Sequence, residues 1–393
     1  MTKAEYLEVC SQRWEDIENL SSLKSFYDIE KTLDEIWTDL GCKILETSLG
    51  NIPTNHRKKK KLQTKFGEIE VSNTNDQIKG VTGQKISPYL QEKLLYIGQM
   101  ECYERGSEIA RMLLNVNTND TAIYRITDKI GEQSLAISEH ENFRSPLQLD
   151  EVENLYVEAD GSMLLTREEG WKEVKLGRIF KSSAIYEESG KNWIKSSEYV
   201  ATIGNHKEFE GKMSMILDDA YKKWKDRMVF INDGARWQWN WIESEYPEAI
   251  QILDFFHGME NIGKYVSACI PKLKRSEYMK IIGETLKRDG IAEVLEMLDK
   301  IPRKSKIKEA KYQTLLTYVN NNKKRMDYPK YLKLGLLIGS GAIESAHRTV
   351  LQKRLKQAGQ RWSKEGLKNI ISLRVLNMSG YWDKITDLIK NAA

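Results

Sequence analysis

The chain has 393 residues, of which 40% are hydrophobic and 30% are charged, and its net charge is only +4. This length allows two or three domains with a sizeable core, and the balanced composition excludes a disordered protein. Four widely spaced cysteines exclude a disulfide framework and disfavour a cysteine-built zinc site. Because the start is too charged for a signal peptide and no apolar stretch is long enough for a bilayer, we expect a cytoplasmic protein without a membrane partner.

Residues 1–150 are expected to form a mainly helical region. Apolar residues recur at three- and four-residue steps up to about residue 50, and a helical pattern returns near 88–144. A basic run and the short strand-like stretch TKFGEIEVS separate the two helical parts. We expect this region to bind DNA or to form a dimer, and its DNA-binding candidates are Lys58, Lys59 and Lys60.

A strand pattern begins near residue 153 and predicts a mixed α/β sheet flanked by helices over residues 151–258. The elements expected in chain order are three strands, LYVEADGSMLLT, WKEVKLGRIFKSS and EYVATIGN, a helix over about 208–226, the buried strand MVFINDGA, the helix RWQWNWIESEYP and the apolar run AIQILDFFH. Residues 259–337 show no strand pattern, so we expect an all-helical insertion. We expect residues 338–393 to form C-terminal helices that complete the core of the sheet domain.

Three carboxylates stand at positions that a catalytic site could use. Asp160 and Asp233 each precede a glycine at or near the end of a strand candidate, and Glu344 lies in the first turn of the helix that GSG opens. Each also has a structural explanation, because Asp-Gly is ordinary turn chemistry and a first-turn glutamate complements the helix dipole. Together they would suit Mg²⁺ or Mn²⁺, and two such ions about 4 Å apart can activate a hydroxyl and stabilise the leaving oxygen of a phosphodiester.

Four motifs, DGSM, INDGA-x-W, ILDFFH and GSGAIES-(x)-RLKQAGQRWS, resemble those of bacterial insertion-sequence transposases of the ISKra type. The resemblance covers roughly residues 60–378. It implies the DDE class of transposase with an RNase H-like catalytic domain, and it places the catalytic and metal-binding acids on Asp160, Asp233 and Glu344. It also implies two Mg²⁺ or Mn²⁺ ions in each active site.

Further expectations follow from the same resemblance. Asp254 and His257 match the D-x-x-H element of Mutator-like relatives, which makes His257 a secondary catalytic candidate, although a packed histidine closing a buried strand explains it equally well. The partners would be double-stranded DNA, both terminal inverted repeats and target DNA, and a second copy of the chain in a dimer or higher synaptic oligomer, in the cytoplasm and associated with the nucleoid. Unlike many relatives, this chain has no N-terminal cysteine-based zinc ribbon.

The distribution of charge favours a DNA partner more than the net charge does. Residues 56–65, 300–333 and 345–376 hold 25 of the 61 basic residues and only 3 of the 57 acids. Trp362 could stack on a base or anchor one helix on another, and anchoring is the commoner role for a buried indole. The DNA-binding candidates in these stretches are Lys323, Lys324, Arg325, Arg348, Lys353, Arg354, Arg361 and Trp362.

Two other functions remain open. The chain could be a transposase-derived DNA-binding protein that no longer cuts, although such a protein is expected to have lost an acid and all three are present. It could also be an RNase H-like nuclease that acts on branched DNA or RNA hybrids, which would lack strand transfer and any preference for terminal repeats.

Overall fold

A computed structural model of the chain describes residues 1–23, 25–49, 59–72, 85–138, 144, 146–303 and 305–391. The chain divides into two compact units. The first comprises Met1–Ile137, Glu365–Arg374 and Tyr381–Ala393, and the second comprises Ser138–Lys364 and Val375–Gly380. Within the described ranges, no helix combines the length and the apolar character that crossing a bilayer requires.

The N-terminal part of the first unit is helical, as the periodicity predicts. Ser25 and Ser87 accept hydrogen bonds from backbone N–H groups of the helices that follow them, which explains where two of these helices begin. The helices are α1 (Lys3–Ser11), α2 (Trp14–Glu18), α3 (Phe26–Ser48), α4 (Pro88–Met100), α5 (Tyr103–Leu114) and α6 (Asp120–Ser138).

A hairpin of β1 (Lys59–Thr64) and β2 (Gly67–Ser72) separates α3 from α4. The sequence predicts only its second strand, because the first is formed largely by the lysine run. That run becomes a strand because alternate residues are buried and because lysines on the other face meet acids across the hairpin. Leu62 packs in a small cluster with Ile69, and Lys59 Nζ lies 3.2 Å from Glu70 Oε2.

The second unit is built around a five-stranded mixed sheet, which confirms the predicted α/β class. The strands of the unit are β3 (Leu155–Thr166), β4 (Gly170–Lys181), β5 (Ile185–Glu188), β6 (Lys191–Ile194), β7 (Glu198–Ile203), β8 (Met228–Asn232) and β9 (Ile250–Leu253). The sheet order is β7-β4-β3-β8-β9. Strands β3, β4 and β7 pair antiparallel, whereas β8 runs parallel to β3 and β9 runs parallel to β8. The hairpin β5–β6 was not predicted.

Helices α7 (His206–Trp224) and α8 (Arg236–Glu245) connect the strands of this sheet. The side chains of Val229, Phe230 and Ile231 in β8 are fully buried, as expected for a parallel strand covered on both faces.

Only helices occur among the described residues between β9 and residue 338. They are α9 (Phe255–Cys269), α10 (Lys272–Arg288), α11 (Ile291–Asp299), α12 (Lys306–Asn322) and α13 (Tyr328–Lys333). Their buried residues, including Val294, Leu315 and Val319, belong to the same hydrophobic cluster as the sheet. The chain continues with α14 (Gly341–Ala346), a π-helical stretch His347–Gln352, α15 (Lys353–Leu355), α16 (Lys364–Met378) and α17 (Trp382–Asn391).

Candidate active site

Asp160 lies in the middle of β3, not at its end as the Asp-Gly pair suggests. Strand β3 continues to Thr166 because it pairs with β4 along its whole length, with Asp160 opposite Leu176. Its pairing with β8, however, ends at Glu158. Asp160 therefore stands just beyond the point where the neighbouring parallel strand stops, and it is half-buried there.

The side chains of Asn232 and Gln238 extend the contact between β3 and β8 by one residue. The Ala159 N–H donates to Asn232 Oδ1 at 2.9 Å, and Gln238 Nε2 donates to the Ala159 carbonyl at 3.0 Å. Because Ala159 precedes Asp160 and Asn232 precedes Asp233, this pair of bonds fixes the two acids beside each other, just beyond the point where the parallel pairing of β3 with β8 ends.

Asp233 opens the turn from β8 into α8. Its Oδ1 accepts a hydrogen bond of 2.9 Å from the Ala235 N–H, and Gly234 adopts a positive φ of 100° that favours glycine. Burial raises the pKa of Asp160, and the negative charge of Asp233 adds to that increase. The two carboxylates therefore interact electrostatically, as two carboxylates that share a site do.

Alternate residues on one face of β3 contact the C-terminal part of the second unit. The Leu337 N–H donates to the Tyr156 hydroxyl at 3.2 Å, and the Ile343 N–H donates to Glu158 Oε2 at 2.7 Å. Further along the strand, Asp160 contacts His347, and Ser162 accepts a bond of 2.7 Å from Lys356 Nζ. One face of the central strand thus carries Asp160 and holds the segment that carries Glu344.

Glu158 and Arg178 form hydrogen bonds with the first turn of the Glu344 helix. They are opposite each other on β3 and β4. Glu158 accepts the Ile343 N–H, while Arg178 Nη1 donates to the Ala342 carbonyl at 2.7 Å. These two groups belong to a single peptide unit, so the cross-strand pair holds both of its ends. We call this arrangement the 342–343 clamp.

The GSG segment has additional anchors at the end of β9. Ser340 Oγ donates to Asp254 Oδ2, and the Phe255 N–H donates to the Ile338 carbonyl at 2.9 Å. Asp254 is buried and also accepts from the Phe256 N–H at 2.8 Å as the N-cap of α9. Its contacts are those of a structural residue that fixes the GSG turn.

Glu344 is exposed in the first turn of α14. It is close enough to Glu158 that its negative charge helps to raise the pKa of that carboxyl group. Among the described residues, however, no group of three or more His, Cys, Asp or Glu side chains is arranged so that it could hold a metal ion. The fold thus brings Asp160 and Asp233 together and starts the Glu344 helix beside them, without a closed three-ligand site.

Burial of Glu158 predicts a pH-dependent stability. Desolvation raises the pKa of this fully buried carboxyl from 4.5 to about 8. The folded protein then holds a proton that the unfolded chain has lost, so this contribution to the free energy of unfolding is fully present below about pH 4.5 and declines up to about pH 8. The slope is at most about 1.4 kcal/mol per pH unit.

We therefore expect the stability of the wild type, relative to Glu158→Gln, to fall as pH rises from about 5 to 8. Chemical denaturation at several pH values in the presence of a chelator measures this difference. Glu187→Gln, at an exposed site on β5, is the control for a surface Glu→Gln change. A pH-independent difference between wild type and Glu158→Gln would contradict the buried, protonated carboxyl.

His347 was not a predicted site residue, yet the structure places it against Asp160. Its Nε2 lies 3.4 Å from Asp160 Oδ2, and its side chain is 5% exposed. Burial lowers the pKa of His347, opposed by the nearby Asp160 charge. By contrast, the predicted candidate His257 is 40% exposed, with Nδ1 3.8 Å from Glu260 Oε2, and its charge acts on Asp160 only as the weakest of several influences.

Exposure separates the basic candidates of the C-terminal stretch. Arg348, Lys353 and Arg361 are exposed, whereas Arg354 is 1% exposed and its guanidinium lies 4.8 Å from the centre of the Trp362 ring. Arg354 is therefore a packing residue, because its guanidinium is enclosed and cannot reach a phosphate. Trp362 donates from Nε1 to the Leu355 carbonyl at 3.2 Å, which supports the anchoring role over base stacking.

The other basic candidates divide in the same way. Lys323 and Lys324 are exposed, but Arg325 is buried, pairs with Glu243 and lies 4.3 Å from the Trp239 ring centre, so it also packs rather than faces a ligand. In the first unit, Lys59 pairs with Glu70, and Lys60 is half-buried, which lowers its pKa. Lys58 lies outside the described residues.

Comparison with known proteins shows a family relationship. A family model described as "Uncharacterised protein family (UPF0236)" matches residues 51–390. Three similar UPF0236 proteins come from Caldanaerobacter subterraneus subsp. tengcongensis. They are 28%, 28% and 29% identical over 82% of this chain and over 68%, 69% and 65% of their own lengths. The name of the first joins eleven gene labels of that strain.

Proposed function

Since the chain belongs to the UPF0236 family, whose name states no activity, we propose a function from its site: it is a DNA transposase of the DDE class. It would bind terminal inverted repeats, cleave DNA at the element ends and join the freed 3′ ends to target DNA. The observation that carries this proposal is the juxtaposition of Asp160 on β3 and Asp233 directly after the parallel neighbour β8, with the Glu344 helix hydrogen-bonded to the same central strand β3.

An RNase H-like fold would account for this sheet. The mixed sheet β7-β4-β3-β8-β9, with β7, β4 and β3 antiparallel, β8 and β9 parallel, and Asp160 on the central strand β3, supports this proposal. The helical segment between β9 and Glu344 would then be an insertion before the last acid.

The relatives add indirect support for a mobile element. One protein name that joins eleven gene labels of a single strain is what a gene present in many copies would carry. A transposase is expected to multiply its own gene within one genome. A resident DNA-binding protein or a repair nuclease is not expected to do so.

We propose Mg²⁺ or Mn²⁺, two ions per site, held by Asp160, Asp233 and Glu344. The donor set fits these ions by its chemistry, since carboxylate oxygens are their preferred ligands. Asp160 Oδ1 accepts the Gly161 N–H at 2.6 Å, and the Glu344 side chain is exposed in the first turn of α14. When bound, the ions would activate the attacking oxygen and stabilise the leaving oxygen.

The overall reaction needs no covalent enzyme intermediate. In cleavage, a water oxygen bonds to phosphorus, the bond between phosphorus and the 3′ oxygen breaks, and the 3′ oxygen leaves as a hydroxyl. In joining, that hydroxyl oxygen bonds to a target phosphorus and displaces another 3′ oxygen. The protein's task is to hold two DNA ends and one target together, so we propose a dimer or higher synaptic oligomer, acting in the cytoplasm at the nucleoid.

Exposed cations beside the site would bind the DNA backbone. We expect the double variant Arg348→Ala/Lys353→Ala to weaken DNA binding about 10-fold near 0.1 M salt and to reduce the salt slope by about 2, because two phosphate contacts are lost. Fluorescence anisotropy over a salt series measures both. The matched control is Lys222→Ala/Lys225→Ala, whose lysines already pair with Asp219 and Glu248.

The deciding experiment uses the purified protein with Mg²⁺ or Mn²⁺ and DNA that carries the ends flanking its gene. A transposase produces cuts at those ends and joined products in a target plasmid. Binding to the ends without any cut would favour the domesticated DNA-binding alternative. Cutting of branched DNA or RNA–DNA hybrids, with no preference for the ends and no joining, would favour the nuclease alternative.

A further inference from the structure

His347 presents a buried imidazole to Asp160, with Nε2 3.4 Å from the carboxylate oxygen Oδ2. Within the described part of the chain, neither ring nitrogen has a hydrogen bond of good geometry, although the imidazole lies against the backbone and the carboxylate of Asp160. The residue is 4% exposed, so water does not readily replace a missing partner. A buried polar group without a partner costs about 1–3 kcal/mol, and such a group in a native protein calls for an explanation.

The backbone around His347 is also unusual. The α14 helix ends at Ala346, and a six-residue π-helical stretch starts at His347. Such stretches are rare and occur frequently at functional sites. His347 follows Glu344 by three residues in one continuous helical segment, so both side chains project toward the same side of the helix.

The distance between His347 Nε2 and Asp160 Oδ2 suits two ligands of one ion. Histidine nitrogens and carboxylate oxygens bind divalent metal ions at about 2.1 Å. Angles of about 90–110° between two ligands then place their donor atoms about 3.0–3.4 Å apart. The observed separation is 3.4 Å. The opposite oxygen, Oδ1, is held by the Gly161 N–H, which directs Oδ2 toward the imidazole.

We propose that His347 is a nitrogen ligand, beside Asp160, to one of the divalent ions of the site. This inference rests on the proposed function, because it adds a ligand to that cation site. An imidazole ligand favours first-row transition ions over Mg²⁺, which binds almost only oxygen. The site would therefore select Mn²⁺ over Mg²⁺, and the ligand set would comprise three acids and one histidine.

The test uses Mn²⁺ with the full chain and no DNA. Loss of the free-ion electron paramagnetic resonance signal measures binding, and pulsed resonance of the bound ion detects a directly coordinated ¹⁴N nucleus. We expect ¹⁴N coupling in the wild type. In His347→Gln we expect the coupling to vanish, Mn²⁺ binding to weaken about 10-fold or more and the preference for Mn²⁺ over Mg²⁺ to shrink.

Two further histidine variants identify the nitrogen. His257→Gln removes the other imidazole that acts on Asp160, and His206→Gln removes an exposed one on α7. Both are expected to keep the ¹⁴N coupling. If His257→Gln abolishes it and His347→Gln does not, the assignment to His347 is wrong. If His347→Gln does not fold, ¹⁵N-histidine labelling of the wild type tests whether the ligand is a histidine, because the coupling must then change from ¹⁴N to ¹⁵N. Coupling that persists in both His257→Gln and His206→Gln leaves His347 as the ligand among the histidines that the structure describes.

The outcomes separate this inference from the proposed function. If Mn²⁺ binds, if Asp160→Asn weakens that binding, and if no histidine coupling is present, then the cation site stands and the role of His347 is overturned. If Mn²⁺ does not bind the wild type at all, both the cation site and the histidine ligand are overturned.

Discussion

Replacing Asp233 by Asn is expected to lower the rate of DNA cleavage by at least about 10²–10³-fold, the scale on which loss of one charge-stabilising group acts. Asparagine keeps the size of the side chain and its acceptor oxygen, so the 2.9 Å bond from the Ala235 N–H can persist. The variant should therefore fold and bind DNA almost as the wild type does. Single-turnover cleavage of an end-containing duplex, together with a mobility-shift titration, measures the two effects separately.

Asp226→Asn is the matched control for this experiment. Asp226 is exposed and precedes β8, whereas Asp233 follows the same strand, so the control makes the same change at the opposite end of β8. It should leave cleavage and binding unchanged. Strand transfer by Asp233→Asn at the wild-type rate would remove Asp233 from the active site and, with it, the DDE assignment.

Replacing Arg178 by Met is expected to reduce both stability and cleavage. Arg178 is 7% exposed, and besides the bond to Ala342 it donates from Nε to Ser197 Oγ at 2.9 Å. Losing these charge-assisted bonds should lower the free energy of unfolding by about 3 kcal/mol. With one half of the 342–343 clamp lost, Glu344 is held less firmly, and a displacement of 1 Å can slow catalysis by about 10²-fold.

Arg178→Lys is expected to restore little of either property, because an ammonium group cannot reach the Ala342 carbonyl and Ser197 in the fixed fork of a guanidinium. Arg227→Met provides the control. Arg227 also donates to backbone carbonyls, those of Asp150 and Glu151, but it lies before the start of β8, at the end of that strand away from Asp233. Thermal unfolding and single-turnover cleavage are the measurements. Full cleavage activity in a folded Arg178→Met would show that the clamp does not position Glu344.

The sequence predicts those parts of this fold that depend on local pattern. The apolar run before Asp233 identifies β8, and the lack of strand pattern in residues 259–337 identifies the helical segment. Local pattern misleads where pairing decides the outcome. The Asp160–Gly161 pair reads as a turn, yet it continues through β3 because β4 provides a partner for every residue. The lysine run forms β1 because its lysines meet Glu68 and Glu70 in β2.

The supporting residues of the site could not be predicted in the same way. Glu158, Arg178 and Ile343 meet only in the folded chain, because 20 positions separate Glu158 from Arg178 and 165 positions separate Arg178 from Ile343. A hint was present for Glu158, because a glutamate inside the apolar run LYVEAD has two strand neighbours on its own face, Tyr156 and Asp160. His347 gave no such hint, since its position depends on a π-helical stretch that periodicity does not predict.

The helical segment between β9 and α14 leaves the sheet and returns to it at one place. Its entry, Asp254 and Phe255, is hydrogen-bonded to its exit, Ser340 and Ile338. A segment whose first and last residues are hydrogen-bonded to each other can change in length at little entropic cost, because these flanking residues already close the loop. The far end of this segment could thus lengthen or shorten in evolution while the distance between Asp233 and Glu344 stays constant in space.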